Sequence, residues 1–146
     1  MVSWQEFVEA TPEVARRVEE LFNAHKHHTM ATLRRDGAPR ISGTEVEIDS
    51  GKVCLGMMPA TRRAADLRRD PRLEIHSHSV DPPDGDPGAW SGEAKLSGQA
   101  EELADDERAS DRFRVDIELV VLTRIEARHL VIETWTPQHG LVRRQR

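Results

Sequence analysis

The stretch from Met30 to Arg72 is punctuated so closely that only short antiparallel strands fit within it. Met30-Ala-Thr-Leu-Arg34 alternates apolar and polar side chains, the period of a half-buried strand. Arg35-Asp36-Gly37-Ala38-Pro39 then carries the Asp-Gly and Pro signals of a tight reversal. Extended structure resumes over Arg40–Ile48, turns at Asp49-Ser50-Gly51 and returns as a third strand over Lys52–Gly56. A short helix from Thr61 to Arg69 interrupts the run, and Asp70-Pro71 stops it. A plain meander needs only a turn there, so the inserted helix marks the place where a sheet edge meets a basic helix start.

On the N-terminal side, Ser3-Trp4-Gln5-Glu6 is a capping box, with Ser3 capping a short helix and Glu6 reaching back to the cap's amide. Thr11-Pro12-Glu13 starts a second helix, and Val14, Val18, Leu21 and Phe22 fall on one face of it. That helix ends between Asn23 and His28. Beyond Pro71, Arg72–Val80 reads as a fourth strand with Leu73 and Ile75 on one side and Glu74, His76 and His78 on the other. Asp81–Gly92 holds three Pro, three Gly and three Asp and reads as a mobile acidic loop. Glu93–Ala100 alternates as a fifth strand, Ala104–Phe113 is charged with helical propensity, and Val115–Ile125 and Leu130–Trp135 read as two more strands joined near Ala127-Arg128. From Thr136 onward the chain is a polar tail. Sequential short strands with few crossover helices predict a mainly β, α+β protein built on an antiparallel barrel. We expect one domain, with helices in residues 1–28, the barrel in 29–136 and the tail in 137–146.

Composition narrows the function classes. Aromatic residues are only 4% of the chain and Tyr is absent, so Val, Ile, Leu and Ala must fill the barrel, and so small a core favours a homodimer. A net charge of -5 argues against partners such as bulk nucleic acid or an anionic membrane surface, which need a basic footprint. There is no basic-then-apolar leader pattern and no apolar run of membrane-spanning length, so a cytoplasmic location is expected. The sole cysteine, Cys54, lies in an alternating strand and reads as a packed side chain.

The constellation that can carry chemistry is the helix start. Thr61 is a good N-cap, which leaves the first amides of the helix as unpaired donors that favour an anion. With the Thr61 hydroxyl and the guanidinium groups of Arg62 and Arg63, the site suits a phosphate monoester. The competing reading is that the two arginines are solvated surface charges, paired with Asp66 one turn later. His25, His27, His28, His76 and His78 invite a metal reading, but they lack fixed ligand spacing and a neighbouring Cys, so no metal site is assigned.

The ordered segments ATLRRDGAPRISG, GKVCLG, TRRAADLRRDPR and AKLSGQAEEL, spread over Thr29–Leu103, resemble the pyridoxamine 5'-phosphate oxidase-like, FMN-binding split β-barrel family. The opening Trp4–Phe22 and the closing LVIETWTP resemble a bacterial subgroup rather than the vitamin-metabolising oxidases. The resemblance implies a split-barrel homodimer with FMN, or a related deazaflavin coenzyme, in a groove between subunits. It places the cofactor phosphate against Thr61, Arg62 and Arg63, with Arg63 standing where Lys is usual. It further implies cofactor contacts from Arg40, Ile41 and Ser42 on the second strand and from the backbone near Gly56 and Met57.

Two departures matter. Glu93 stands where the oxidases carry Gln, and the C-terminal pattern of Arg and His that binds their substrate is not matched by Gly140-Leu-Val-Arg-Arg144. The expected activity is therefore an FMN-dependent oxidoreductase acting on another small molecule, not an oxidase of pyridoxamine phosphate. A deazaflavin-dependent reductase is the near alternative. A non-catalytic flavin- or haem-binding protein, or an interaction module, is the alternative of a different class. For a proton donor the sequence offers His76, His78, Ser42 or water.

Overall fold

The computed structural model of the chain describes residues 1–104 and 109–146. Helices α1 (Trp4–Ala10) and α2 (Pro12–Asn23) lead into strands β1 (His27–Leu33), β2 (Pro39–Asp49) and β3 (Lys52–Met57). Helix α3 (Arg62–Arg69) follows, then β4 (Arg72–His76), β5 (Glu93–Glu102), β6 (Asp111–Glu126), β7 (His129–Thr136) and β8 (Gly140–Gln145). Every strand pairing is antiparallel. The order β3-β2-β1-β4-β5-β6 closes on itself through a β3–β6 ladder, giving a six-stranded barrel, and β7 and β8 continue the sheet beyond β6. Strand β6 makes this possible because its start, residues 111–115, pairs with β3 while residues 120–126 pair with β7. One long strand thus leaves the barrel, and the sheet splits there.

The turns follow from local chemistry. Gly37 takes a φ of 85° in the first hairpin, where the Asp36 carboxylate accepts from the Ala38 amide at 3.0 Å. Ser50 and Gly51, at φ of 51° and 75°, form the two-residue turn whose twist suits antiparallel strands. Ala127 and Arg128 take the same left-handed conformation, at 47° and 70°, between β6 and β7. Alternation then sorts the side chains: Val46 and Ile48 on β2, Val53, Leu55 and Met57 on β3, and Leu73 and Ile75 on β4 all point into the core.

The helices cover the barrel. The α1 capping box forms as expected, with Ser3 accepting from the Glu6 amide and Glu6 accepting from the Ser3 amide. Trp4, Phe7 and Trp135 pack in series with tilted rings, their centroids 5.0 and 4.9 Å apart, fixing α1 to β7. Val14, Val18 and Phe22 of α2 are buried, each contributing roughly 1.5–3 kcal/mol of apolar transfer. At the end of α2, His28 is buried, with Nε2 at 2.9 Å from the Phe22 carbonyl and 2.8 Å from that of His25. Its Nδ1 receives the His78 amide at 2.9 Å, and the His25 and His78 rings stack outside it at 4.1 Å. Among the described residues no helix is long and apolar enough to cross a membrane.

Four segments differ from expectation. Asp111–Phe113 is not helical but begins β6, because Leu55 pairs with Phe113 and Met57 with Asp111 where the barrel closes; residues 105–108 of that reading lie outside the described residues. The polar tail forms β8, held to β7 by register pairs such as Glu133 with Arg143. The fourth strand ends at His76 rather than Val80, since the Ser77 hydroxyl accepts the Ala94 amide at 3.0 Å and the chain then turns out toward the prolines. Cys54 is not packed inside: Val53 and Leu55 take the inner positions, and Cys54 lies half-exposed on the outer face.

Candidate functional site

Thr61 caps α3 as the sequence predicts, its hydroxyl oxygen accepting from the Ala64 amide at 3.3 Å. The Ala65 amide bonds the Thr61 carbonyl at 3.2 Å, and no acidic residue occupies the first turn, so the helix carries no acid of its own at its positive end. Arg62 is exposed. Arg63 is half-buried, and its Nε is shut off from solvent without a hydrogen-bond partner among the described residues. A buried donor left unpaired costs about 1–3 kcal/mol, so this atom suits a group that the described residues do not supply.

Arg63 lines a groove of about 520 Å³ together with Gly43, Glu45, Gly56, Met57 and His27. A side chain at Gly43 or Gly56 would meet nothing within 4 Å, so both glycines open onto free space and let a ligand approach the backbone closely. A second hollow of about 530 Å³ shares Glu45 and Gly56 with the first and runs on past Cys54 and Arg112, extending the trough over the outer face of β2 and β3. His27 stands on the rim with Nε2 at 3.5 Å from a Glu45 carboxylate oxygen. Ile41 and Met58 are 75% and 76% exposed, which is unusual for large apolar side chains.

The predicted residues therefore divide. Gly56, Met57 and Arg63 meet in the groove, and Thr61 and Arg62 stand at the helix start beside Arg63. Arg40, Ile41 and Ser42 do not line it. Arg40 turns onto α3, where its Nε donates to Asp66 at 2.7 Å; Ile41 faces outward and Ser42 is half-buried. The pairing of Asp66 with Arg62 or Arg63 does not form, because Asp66 is taken by Arg40 and Arg69. Glu93 sits against His76 at 3.4 Å and not against the helix start, so its carboxylate does not oppose an anion there. His76 and His78, offered as proton donors, are engaged with Glu93 and stacked on His25 respectively, and neither lines the groove. Gly43 escaped the sequence reading, its signal a lone glycine inside a strand, and His27 was read there only as a metal candidate and not as a residue of this groove.

A family model for pyridoxamine 5'-phosphate oxidase matches residues 14–131. No curated protein matches the chain. Among solved structures, the haem-binding protein from Mycobacterium smegmatis is similar at 19% identity and a TM-score of 0.63, over 84% of this chain and 58% of that one. The chain thus spans little more than half the length of that protein. A protein related to general stress protein 26 from Clostridium acetobutylicum is similar at 16% identity and a TM-score of 0.61, over 82% and 91% of the two chains. The haem storage protein from Vibrio cholerae follows at 15% identity and a TM-score of 0.57, over 75% and 90%. At these identities the likeness is one of fold.

Proposed function

The chain belongs to the pyridoxamine 5'-phosphate oxidase family, and on that premise we propose that it binds FMN in the groove beside α3 and acts as an oxidoreductase on a small molecule. The observation that carries this reading is the buried Nε of Arg63, without a partner among the described residues, on a groove whose glycines leave the backbone open. Thr61 and Arg63, with the first amides of α3, would hold the phosphate, since a guanidinium and helix-terminal amides together favour a dianion. Gly43 and Gly56 would admit the flat ring, and Met58 gives that wall an apolar surface. A bound flavin supplies hydride transfer; the chain positions it, limits water and handles protons. His27 is the groove's candidate for the last task, as its Nε2 can take or give a proton beside Glu45. The exposed Ile41 and Met58 favour a second copy of the chain over this face. The exposed β8, which holds Leu141–Arg144, carries no Arg and His pair of the oxidase kind, so pyridoxamine phosphate is not the proposed substrate.

A titration of the full chain with FMN, and in parallel with the deazaflavin coenzyme, tests the reading by cofactor fluorescence. Submicromolar binding of one is expected, with Arg63→Ala losing about 1.5–3 kcal/mol of it. An unchanged affinity in that variant overturns the phosphate assignment. The second reading is haem binding. Two proteins of the same fold are described as binding or storing haem, and His27 offers an imidazole in the same groove. A Soret band that saturates with added haemin and is lost in His27→Ala, with no flavin binding, would decide for it.

A further inference from the structure

Asp66 lies on the second turn of α3 and is 2% exposed, a costly place for a carboxylate unless donors surround it. Oδ2 accepts from Thr32 Oγ1 at 2.8 Å and from Arg40 Nε at 2.7 Å, and Oδ1 accepts from Arg69 Nη2 at 2.9 Å. Arg69 also reaches the Leu33 carbonyl at 2.6 Å. Burial alone would raise this carboxyl; the donors from Arg40, Thr32 and Arg69 outweigh it and hold the group below the usual carboxylate range. Three donors from β1, β2 and α3 thus converge on one buried charge.

Fastening the helix does not require this. Ala64 and Leu67 already bury the apolar side of α3, and well-packed apolar side chains serve as well as a buried ion pair for stability alone. What the carboxylate adds is direction. Arg40 gives Asp66 only its Nε, so both terminal nitrogens of its planar fork remain without a hydrogen bond among the described residues. Asp66 follows Arg63 by three positions on the same helix, the spacing of surface neighbours. The carboxylate therefore seats one guanidinium within a helical turn of the arginine whose Nε is buried and has no partner among the described residues.

We propose that Asp66 is a positioning residue of the anion site, holding Arg40 by Nε so that its terminal nitrogens and Arg63 close on the phosphate as a two-arginine clamp. This rests on the FMN reading given above. It also restores Arg40 to the site by a route other than lining the groove.

The test compares FMN with riboflavin, which has the same ring and no phosphate, on the full-length protein and on Asp66→Asn. Electrostatics and positioning predict opposite signs. Removing a negative charge favours an anion, so a purely electrostatic Asp66 makes FMN bind more tightly in the variant. Loss of a held guanidinium weakens FMN about tenfold and changes riboflavin by less than about twofold. FMN binding that is unchanged or tighter overturns the proposal. An equal loss for both ligands does so too, because it marks a structural role. If the unmodified protein does not prefer FMN to riboflavin, the phosphate reading itself falls and the clamp with it; a preference that is undiminished in Asp66→Asn refutes the clamp alone. Should Asp66→Asn fail to fold by circular dichroism, Thr32→Val removes one orienting contact at nearly constant volume and is expected to weaken FMN about threefold, with riboflavin unchanged. No effect there counts against the clamp.

Discussion

Lowering the pH below neutrality should unfasten His28 before it disturbs the barrel. An amide can only donate, so the His78 N–H fixes a lone pair on Nδ1 and leaves the His28 proton on Nε2, shared between the carbonyls of Phe22 and His25. Burial holds His28 below its ordinary value of 6.5, the neighbouring His78 and His25 push the same way, and the two carbonyl contacts oppose them. The sign follows. A folded-state value below the unfolded one means that the unfolded chain binds the extra proton, so the contribution is complete above 6.5 and erodes as the pH falls toward the folded value. In that window one proton of difference is worth up to about 1.4 kcal/mol per pH unit. His28→Gln removes the titration and, by leaving buried partners unpaired, costs about 1–3 kcal/mol near neutrality. Urea unfolding of both proteins at about pH 7.5, 6.5 and 5.5 gives the comparison, in which the stability gap should narrow by about 1 kcal/mol toward acid. The other histidines are common to both proteins and cancel in the comparison. A gap that stays constant over this range refutes the reasoning.

Two backbone positions make further tests. A side chain at Gly98 would lie 1.9 Å from the Asp116 carbonyl oxygen, at the irregularity in the β5–β6 ladder, so Gly98→Ala must push the strands apart. It is expected to cost about 3 kcal/mol and to lower Tm by about 10 °C, and a Tm within about 2 °C of the parent would show that the strands part freely. Conversely, Ala127 and Arg128 hold left-handed conformations that Asn-Gly adopts readily. The double substitution Ala127→Asn with Arg128→Gly should stabilise the protein by about 1 kcal/mol in urea unfolding, and a loss of stability would mean that the Arg128 side chain makes up for its strain.

What the sequence made legible was local. The capping box at Ser3, the Thr61 cap, the Asp36-Gly37 and Ser50-Gly51 turns and the alternation of β1 to β5 are each decided by residues within a few positions of one another. What it hid was settled at a distance. Asp111–Phe113 has helical propensity but becomes a strand because β3 lies open beside it, and tertiary pairing overrides a weak local preference. The residues of β8 are almost wholly exposed, so no apolar period announces a strand; the backbone of β7 alone provides its partner. In the site, Arg62 and Arg63 were readable from the helix start, whereas the attachment of Arg40 to Asp66, 26 positions on, depends on how α3 lies over β1 and β2.

Closure of the barrel between β3 and β6 has a kinetic consequence. Hairpins such as β1–β2 and β2–β3 need only short loops to form, but the pairing of Val53 with Val115 requires closing a loop of about sixty residues, with its entropy spent before any contact rewards it. The seam should therefore zip late during folding and part early during partial unfolding. Its β3 side carries Gly56 and Met57, and Ser110 stands across from them at the foot of β6, so the groove is finished only when the seam shuts. A ligand lodged there spans both sides and binds only the closed form, so amides along Val53–Met57 and Asp111–Val115 are where its presence should slow hydrogen exchange most.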